Sequence, residues 1–101
     1  MEVTAYVEEI VQHFSRYHKY SIGSELRDKC REVLYIIYKI YFSKDKKVAV
    51  EKLRNSIEEL KIIVFLANEI KALKSFKQFE ILSRYCFELG SQAQGWLKSL
   101  K

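Results

Sequence analysis

The side chains of this chain that are best suited to nucleophilic catalysis or metal binding are two cysteines and two histidines. Cys30 and Cys86 lie far apart, form no Cys-x-x-Cys pair and have no neighbouring histidine, so they lack the ligand spacing of a zinc site. Both fall on apolar helical positions, which predicts buried free thiols. Neither His13 nor His18 has a Cys, Ser or Asp at a spacing typical of a triad or a metal site. An enzyme that uses Cys30 or His13 is an alternative, and it requires that residue to be exposed and activated.

Phosphate-binding loops and paired catalytic carboxylates are not visible either. All three glycines, Gly23, Gly90 and Gly95, lie within helical patterns, so no glycine-rich loop can cradle a phosphate. The adjacent glutamates at 8–9 and 58–59 lie on polar faces and are expected to be solvated. The sequence therefore predicts a non-enzymatic protein with no catalytic residue, no metal site and no cofactor.

Apolar residues recur every three or four positions in four segments, which is the pattern of amphipathic helices. The first segment spans residues 4–17, the second spans 20–43, the third follows the polar turn at 43–47 and ends near 73, and the fourth spans 75–100. Ser75 and Gln78 have the Ser-x-x-Gln spacing of a capping box at the start of the fourth helix. The chain contains no proline, which favours long helices joined by short turns. We predict one domain over residues 1–101 that folds as an all-α, up-down-up-down four-helix bundle.

Each helix has one stripe that is expected to face the core. The stripes are Val3, Val7, Ile10, Phe14 and Tyr17; Ile22, Leu26, Cys30, Val33, Ile37 and Ile40; Leu53, Ile57, Leu60, Val64 and Ala67; and Phe79, Leu82, Cys86, Leu89, Ala93, Trp96 and Leu100.

The N-terminal residues and the apolar runs bear on location. Residues 1–14 lack the basic start and apolar run of a signal peptide. The longest apolar runs, at 33–38 and 62–67, fall far short of the roughly 18 residues that a membrane span needs. We therefore predict a soluble, cytoplasmic protein with no membrane partner.

Basic residues cluster at the turns between the predicted helices, and the net charge is +5. The cations are Arg16, His18 and Lys19 at the first turn, Lys44, Lys46 and Lys47 at the second, and Lys71, Lys74 and Lys77 at the third. In an up-and-down bundle the first and third turns lie at one end, and the second turn shares the opposite end with Lys98 and Lys101.

Some of these cations occupy unfavourable positions. Lys46, Lys47 and Lys77 fall in first helical turns, where a positive charge opposes the helix dipole by about 0.3–1 kcal/mol. Grouped cations at such positions indicate an anionic ligand, and we predict RNA binding through phosphate contacts. The alternative is a solvated basic surface that serves only solubility.

Several large apolar residues fall outside the core stripes. Tyr35 and Phe42 lie on a face of the second helix away from its stripe, and Ile62 and Phe65 lie on a polar line of the third helix. Because a monomeric bundle has no use for them there, we predict self-association through these faces. Scattered surface hydrophobic residues are the alternative.

The stretch ELGSQAQGW, at 88–96, places Gly90, Gly95 and the only tryptophan, Trp96, within a helical pattern. A glycine in a helix interior costs about 1 kcal/mol relative to alanine. A helix surface so poor in side chains predicts close packing against another helix of the bundle or against another subunit, with Trp96 filling the space beyond.

The same pattern, E-L-G-x-x-x-x-G-W, resembles the C-terminal pattern of the accessory variability determinant (Avd) proteins of diversity-generating retroelements. FLANEI at 65–70 and SFKQFEILSRY at 75–85 are similar to a helix end and the following helix start of that family. YSIGSEL at 20–26 is similar to its opening of the second helix. The order and spacing of these motifs extend over residues 14–100.

A sister family, encoded in intervening sequences of ribosomal RNA genes, shares the four-helix fold that the resemblance implies. Its members usually carry S-I-P-x-N-I-A-E-G in the second helix, whereas this chain has SELRDKCREV at 24–33. This difference favours the Avd branch, although the chain lacks a first-turn proline that many family members have.

The resemblance implies a non-enzymatic protein that assembles into a pentameric, basic, barrel-like ring. It also implies that the ring binds template RNA and the reverse transcriptase of the retroelement and supports mutagenic cDNA synthesis. The alternative function is an oligomeric four-helix adaptor between proteins, similar to the ribosomal intervening-sequence proteins.

Overall fold

The computed structural model describes residues 2–100, and every regular element in this range is a helix. The elements are α1 (Glu2–Val11), α2 (Arg16–Lys19), α3 (Ile22–Ile40), α4 (Lys46–Glu69) and α5 (Phe76–Ser99). The helices α1, α3, α4 and α5 are the four helices of the bundle, and α2 is a single turn between the first two. The predicted all-α four-helix bundle is confirmed.

The core consists of two apolar clusters stacked along the 44 Å long axis of the molecule. The first contains residues from α1, the first half of α3, the second half of α4 and the first half of α5. The second contains residues from the remaining halves of α3, α4 and α5. The predicted stripe of α4 is buried along its full length, from Leu53 to Ala67, and so takes part in both clusters.

Helix α1 covers only one of the two clusters. Its 10 residues correspond to about 15 Å of helix, against about 36 Å for the 24 residues of α5. Val3, Val7 and Ile10 are buried in the first cluster, and the Tyr6 ring packs 5.9 Å from the ring of Tyr85 on α5. The half of the bundle around the second cluster is therefore built from three helices.

The predicted boundaries of the first helix and of the second helix are wrong. Helix α1 ends at Val11 rather than at residue 17, because Ser15 caps a separate turn through a bond that its Oγ accepts from the His18 amide at 3.4 Å. Phe14 is buried as predicted, but Tyr17 is 79% exposed. Helix α3 begins at Ile22 and ends at Ile40, whereas the sequence predicted residues 20–43.

The end of α4 also differs from the prediction. The helix ends at Glu69, and Lys71 adopts the left-handed conformation with a φ of 62°. The amide of Ala72 then donates to the carbonyl of Ala67 at 2.9 Å, which closes the helix end. This reversal buries Ala72 and Leu73 in the first cluster, so the apolar pattern continues past the point where the helix stops.

The predicted cap of α5 is present with one change. The Oγ of Ser75 accepts a bond from the amide of Gln78 at 3.3 Å. The Gln78 side chain reaches back to the amide of Lys74, at 2.8 Å, one residue before the capping position. Two backbone amides at the helix start are thus satisfied.

A polar network joins α3 to α4. The Nζ of Lys29 lies 2.7 Å from a carboxylate oxygen of Glu32 and 3.2 Å from one of Glu59. The buried hydroxyl of Ser56 donates to Glu32. The hydrogen bonds from Lys29 and Ser56 lower the pKa of Glu32, so this network stabilises the fold above the ordinary pKa of a glutamate and weakens as the pH falls through the lowered value.

Gly23 is the glycine at which two chain segments come closest. A Cβ at this position would lie 2.8 Å from Cγ1 of Val11 and 3.0 Å from the carbonyl oxygen of His18. Only glycine therefore allows the start of α3 to approach the end of α1 and the α2 turn this closely.

We expect the substitution Gly23→Ala to lower the free energy of unfolding by about 1–2 kcal/mol, because the clash with Val11 outweighs the gain in helix propensity. Chemical denaturation followed by circular dichroism measures the change. Gly95→Ala is the matched control, since a Cβ there meets no atom within 4 Å, and it should raise stability by up to about 1 kcal/mol. Equal stabilities for the Gly23 variant and the natural chain would contradict this account.

Candidate functional site

The two cysteines are buried and free, as predicted, although they belong to different helices of the same cluster. Burial raises the pKa of Cys30 to about 12 and that of Cys86 to about 11. Neither thiol is therefore ionised near neutral pH. Within residues 2–100 no group of three or more His, Cys, Asp or Glu side chains could hold a metal ion.

The cations of the first and third turns lie at the same end of the bundle. The residues that anchor these two connections, Phe14, Ala72 and Leu73, belong to one core cluster. Among residues 2–100, no ion pair includes the cations of this end, which are Arg16, Lys19, Lys71, Lys74 and Lys77. All of them except Lys19 are exposed, and Lys19 is partly buried.

Lys46, at the second turn, has a structural partner that the sequence analysis missed. Its Nζ donates to the carbonyl oxygens of Ile40 and Tyr41, at 3.1 and 3.4 Å, at the end of α3. A cation at a helix C-terminus is favourable, so the position of Lys46 does not by itself indicate an anionic ligand. Asp45, whose side chain caps α4, adds a negative charge to this turn, in which Lys44, Lys46 and Lys47 are all exposed.

The surplus apolar residues are exposed as predicted, but they fall on two separate grooves. Tyr35 and Phe42 line a cavity of about 520 Å³ between α3 and α4, together with Val48. Phe42 is 85% exposed, and the Nζ of Lys39 lies 4.6 Å from the centre of the Tyr35 ring.

On the other side of α4, Phe65 lines a cavity of about 280 Å³ between α4 and α5. Phe87, which the sequence analysis did not single out, lies on the same cavity and is 70% exposed. Ile62 is exposed on the outer face of α4.

The small residues of α5 do not admit another helix of the same bundle. A Cβ on Gly95 would meet no atom within 4 Å, and one on Gly90 would lie 3.5 Å from the Nζ of Lys61. The alternative of an intramolecular close approach is therefore wrong for Gly95. Trp96 turns the other way, into the second cluster, with its ring 6.0 Å from that of Tyr41.

These glycines instead lie on the floor of a second cavity between α4 and α5, of about 390 Å³. Arg54 and Lys98 line it from opposite helices, with Ser91 and Gln94 between them. The sequence analysis did not single out Arg54. Its place beside Lys98 depends on which residues of α5 lie opposite it, and the sequence of α4 does not give that.

None of the described helices combines the length and the apolar character needed to cross a bilayer. No protein-family profile, curated protein or solved structure matches this chain.

We expect Cys30 and Cys86 to resist a thiol reagent in the native protein and to react after unfolding, because both are buried and protonated. Absorbance-based thiol titration with and without denaturant measures this difference. The variant Ser99→Cys, which places a thiol at an exposed position at the end of α5, should react rapidly in the same assay. Rapid reaction of either natural cysteine would count against the core described above.

Proposed function

We propose that this chain is a non-enzymatic accessory protein of a diversity-generating retroelement. In this function it binds template RNA and the reverse transcriptase, as a homo-oligomer, and supports mutagenic cDNA synthesis. The proposal draws on the resemblance of its helix motifs to the Avd family and on the four-helix fold that this resemblance implies.

The observation that carries the nucleic-acid part of the proposal is the cationic end of the bundle. Arg16 and Lys19 on α2 and Lys71, Lys74 and Lys77 around the α4–α5 connection share this end and take no part in ion pairs within residues 2–100. Exposed cations that form no ion pair with a carboxylate of the same chain are available to bind phosphates. Long, flexible lysines at helix ends suit backbone contacts better than base-edge contacts.

The lysines at the opposite end are a weaker candidate. Lys46 is engaged with the end of α3, and Asp45 partly offsets Lys44 and Lys47. We therefore assign the principal RNA contacts to the end that carries α2 and the α4–α5 connection.

A second candidate function is an oligomeric adaptor between proteins. The observation that favours it is the number of large apolar side chains left on the surface, among them Tyr35, Phe42, Phe65 and Phe87. Adjacent exposed aromatic residues along a groove are typical of protein interfaces. The two functions differ in whether RNA is retained.

We expect the chain to bind structured RNA with an affinity that falls steeply with salt, by a log–log slope of about −0.7 to −0.9 per phosphate neutralised. The triple change of Lys71, Lys74 and Lys77 to Glu should weaken binding at least tenfold and reduce the slope, because it removes three of the proposed phosphate contacts. Filter binding across a salt series measures both quantities, and circular dichroism checks that the helices persist.

The matched control reverses three cations on the sides of the bundle, Arg27, Lys52 and Arg84, and so changes the net charge equally. It should weaken binding less than the triple change at the connection. If the natural chain retains no RNA at low salt, with or without a reverse transcriptase, the adaptor function replaces the proposal.

We expect light scattering to report an oligomer, with a pentamer as the number that the family resemblance implies. Tyr35→Glu together with Phe65→Glu should weaken assembly, because each change places a charge in an apolar contact. The control pair is Tyr17→Glu with Tyr20→Glu, two exposed tyrosines around α2 that lie on neither groove. A natural chain that stays monomeric at high concentration would contradict the assigned role of Tyr35 and Phe65.

A further inference from the structure

The groove between α4 and α5 has an open floor and two adjoining cavities. The cavities, of about 390 and 280 Å³, share Lys61 and Phe87 and so form one continuous depression. Gly90 and Gly95 leave the α5 backbone uncovered in the larger cavity. Phe65 and Phe87 flank the smaller one.

The larger cavity carries a net positive charge, because Arg54, Lys61 and Lys98 line it together with one carboxylate, that of Glu58. Arg54 on α4 and Lys98 on α5 both line it, and no ion pair within residues 2–100 includes either of them. Lys61, which pairs with Glu58 at 3.0 Å, reaches over the floor beside Gly90. Arg54 and Lys61 are separated by seven residues, or about 10.5 Å along α4.

The outward face of α1 carries the opposite charge and a small side chain at its centre. Glu2, Ala5 and Glu9 are all exposed on this helix, which contains no cation. Glu8 is turned toward α3, where it pairs with Arg31 at 2.7 Å, so it does not belong to this face. Glu2 and Glu9 are also seven residues apart, which gives the same spacing of about 10.5 Å.

We propose that the outward face of α1 from one copy of this chain docks in the α4/α5 groove of a second copy. Glu2 and Glu9 then lie against Arg54 and Lys61 of the groove. The separation of the two glutamates along α1 equals that of the two cations along α4. Ala5 lies over the open floor at Gly95, where the absence of a side chain allows two helices to approach closely. This proposal rests on the self-association proposed above and adds a second contact between copies, separate from the α3/α4 groove that contains Tyr35.

The two surfaces are different and lie on different helices of the same chain. Each copy therefore offers one face to a neighbour on one side and its groove to a neighbour on the other. Such a heterologous contact produces a ring when the rotation between copies closes and a filament when it does not. The glycines of α5 are not needed for a close approach within the chain. This contact between copies would explain why α5 has glycines at these positions.

Charge reversal tests the pairing directly. We expect Glu2→Lys with Glu9→Lys to raise the dissociation constant of the assembly about tenfold or more, and Arg54→Glu with Lys61→Glu to do the same, since each pair brings like charges together. The chain that carries all four changes should recover assembly to within about threefold of the natural chain. Analytical ultracentrifugation of nuclease-treated protein at low salt measures the masses, and thermal unfolding checks that each variant folds.

The control for a general effect of charge is Asp28→Lys with Glu69→Lys, two exposed carboxylates outside both surfaces. It should leave the assembly unchanged. As a second probe, Gly95→Leu fills the groove floor without meeting its own protomer within 4 Å of the Cβ, so it should weaken assembly without reducing the helical content measured by circular dichroism.

If either charge reversal leaves the mass of the oligomer unchanged, this interface is overturned. The same holds if the variant with all four changes folds but does not assemble. Either result leaves the RNA-binding proposal intact. A natural chain that is monomeric at every concentration overturns the interface together with self-association. Loss of RNA binding alone, with the pairing restored in the fourfold variant, leaves the interface in place.

Discussion

The buried stripe of α4 is the constraint on which the rest of this structure depends. Five side chains from Leu53 to Ala67 are buried on one face of this single helix, and between them they take part in both core clusters. Full burial of an aliphatic side chain of this size is worth about 1.5–3 kcal/mol. Because α3 and α5 both pack on α4 along most of its length, the three helices form the frame, and α1 is added to one half of it.

The shortness of α1 has consequences for the molecule as a whole. The end of α1 at Val11 lies against Gly23, and the helix extends only about 15 Å from that point over the first cluster. The second cluster is closed by three helices and by aromatic contacts such as that between Tyr41 and Trp96. Polar and ionic contacts on the outside, such as the pair of Glu8 and Arg31, hold α1 against α3 but cannot extend its coverage.

With the inner face of α4 committed to the core, its outer face and the grooves beside it are left for other molecules. The groove toward α3 is apolar and aromatic, whereas the groove toward α5 combines exposed phenylalanines with cations over a bare backbone. The cations at the end of the bundle that carries α2 and the α4–α5 connection form a third surface. The three surfaces therefore differ in charge and in apolar character, whereas both thiols are buried.

The helical segments and their inward stripes could be predicted from the sequence. Apolar residues spaced by three and four lie on one face of a helix, and burial of that face stabilises the fold. The stripes of α4 and of most of α3 and α5 are found where the pattern placed them. The boundaries were less predictable. Leu73 continues the apolar pattern of α4, yet it is buried from a connection, because Lys71 reverses the chain with a positive φ that no sequence signal announced.

What the sequence determined by itself was the set of side chains that must leave water and the helices that carry them. Only the tertiary structure decided what the remaining residues are next to. Gly23 and Gly95 look alike in the sequence, but one faces Val11 at a distance that excludes a Cβ and the other faces open space. Likewise, Lys46 caps α3, and Arg54 lies in the same cavity as Lys98. These roles depend on distances between residues remote in the chain, and periodicity along one helix contains no information about them.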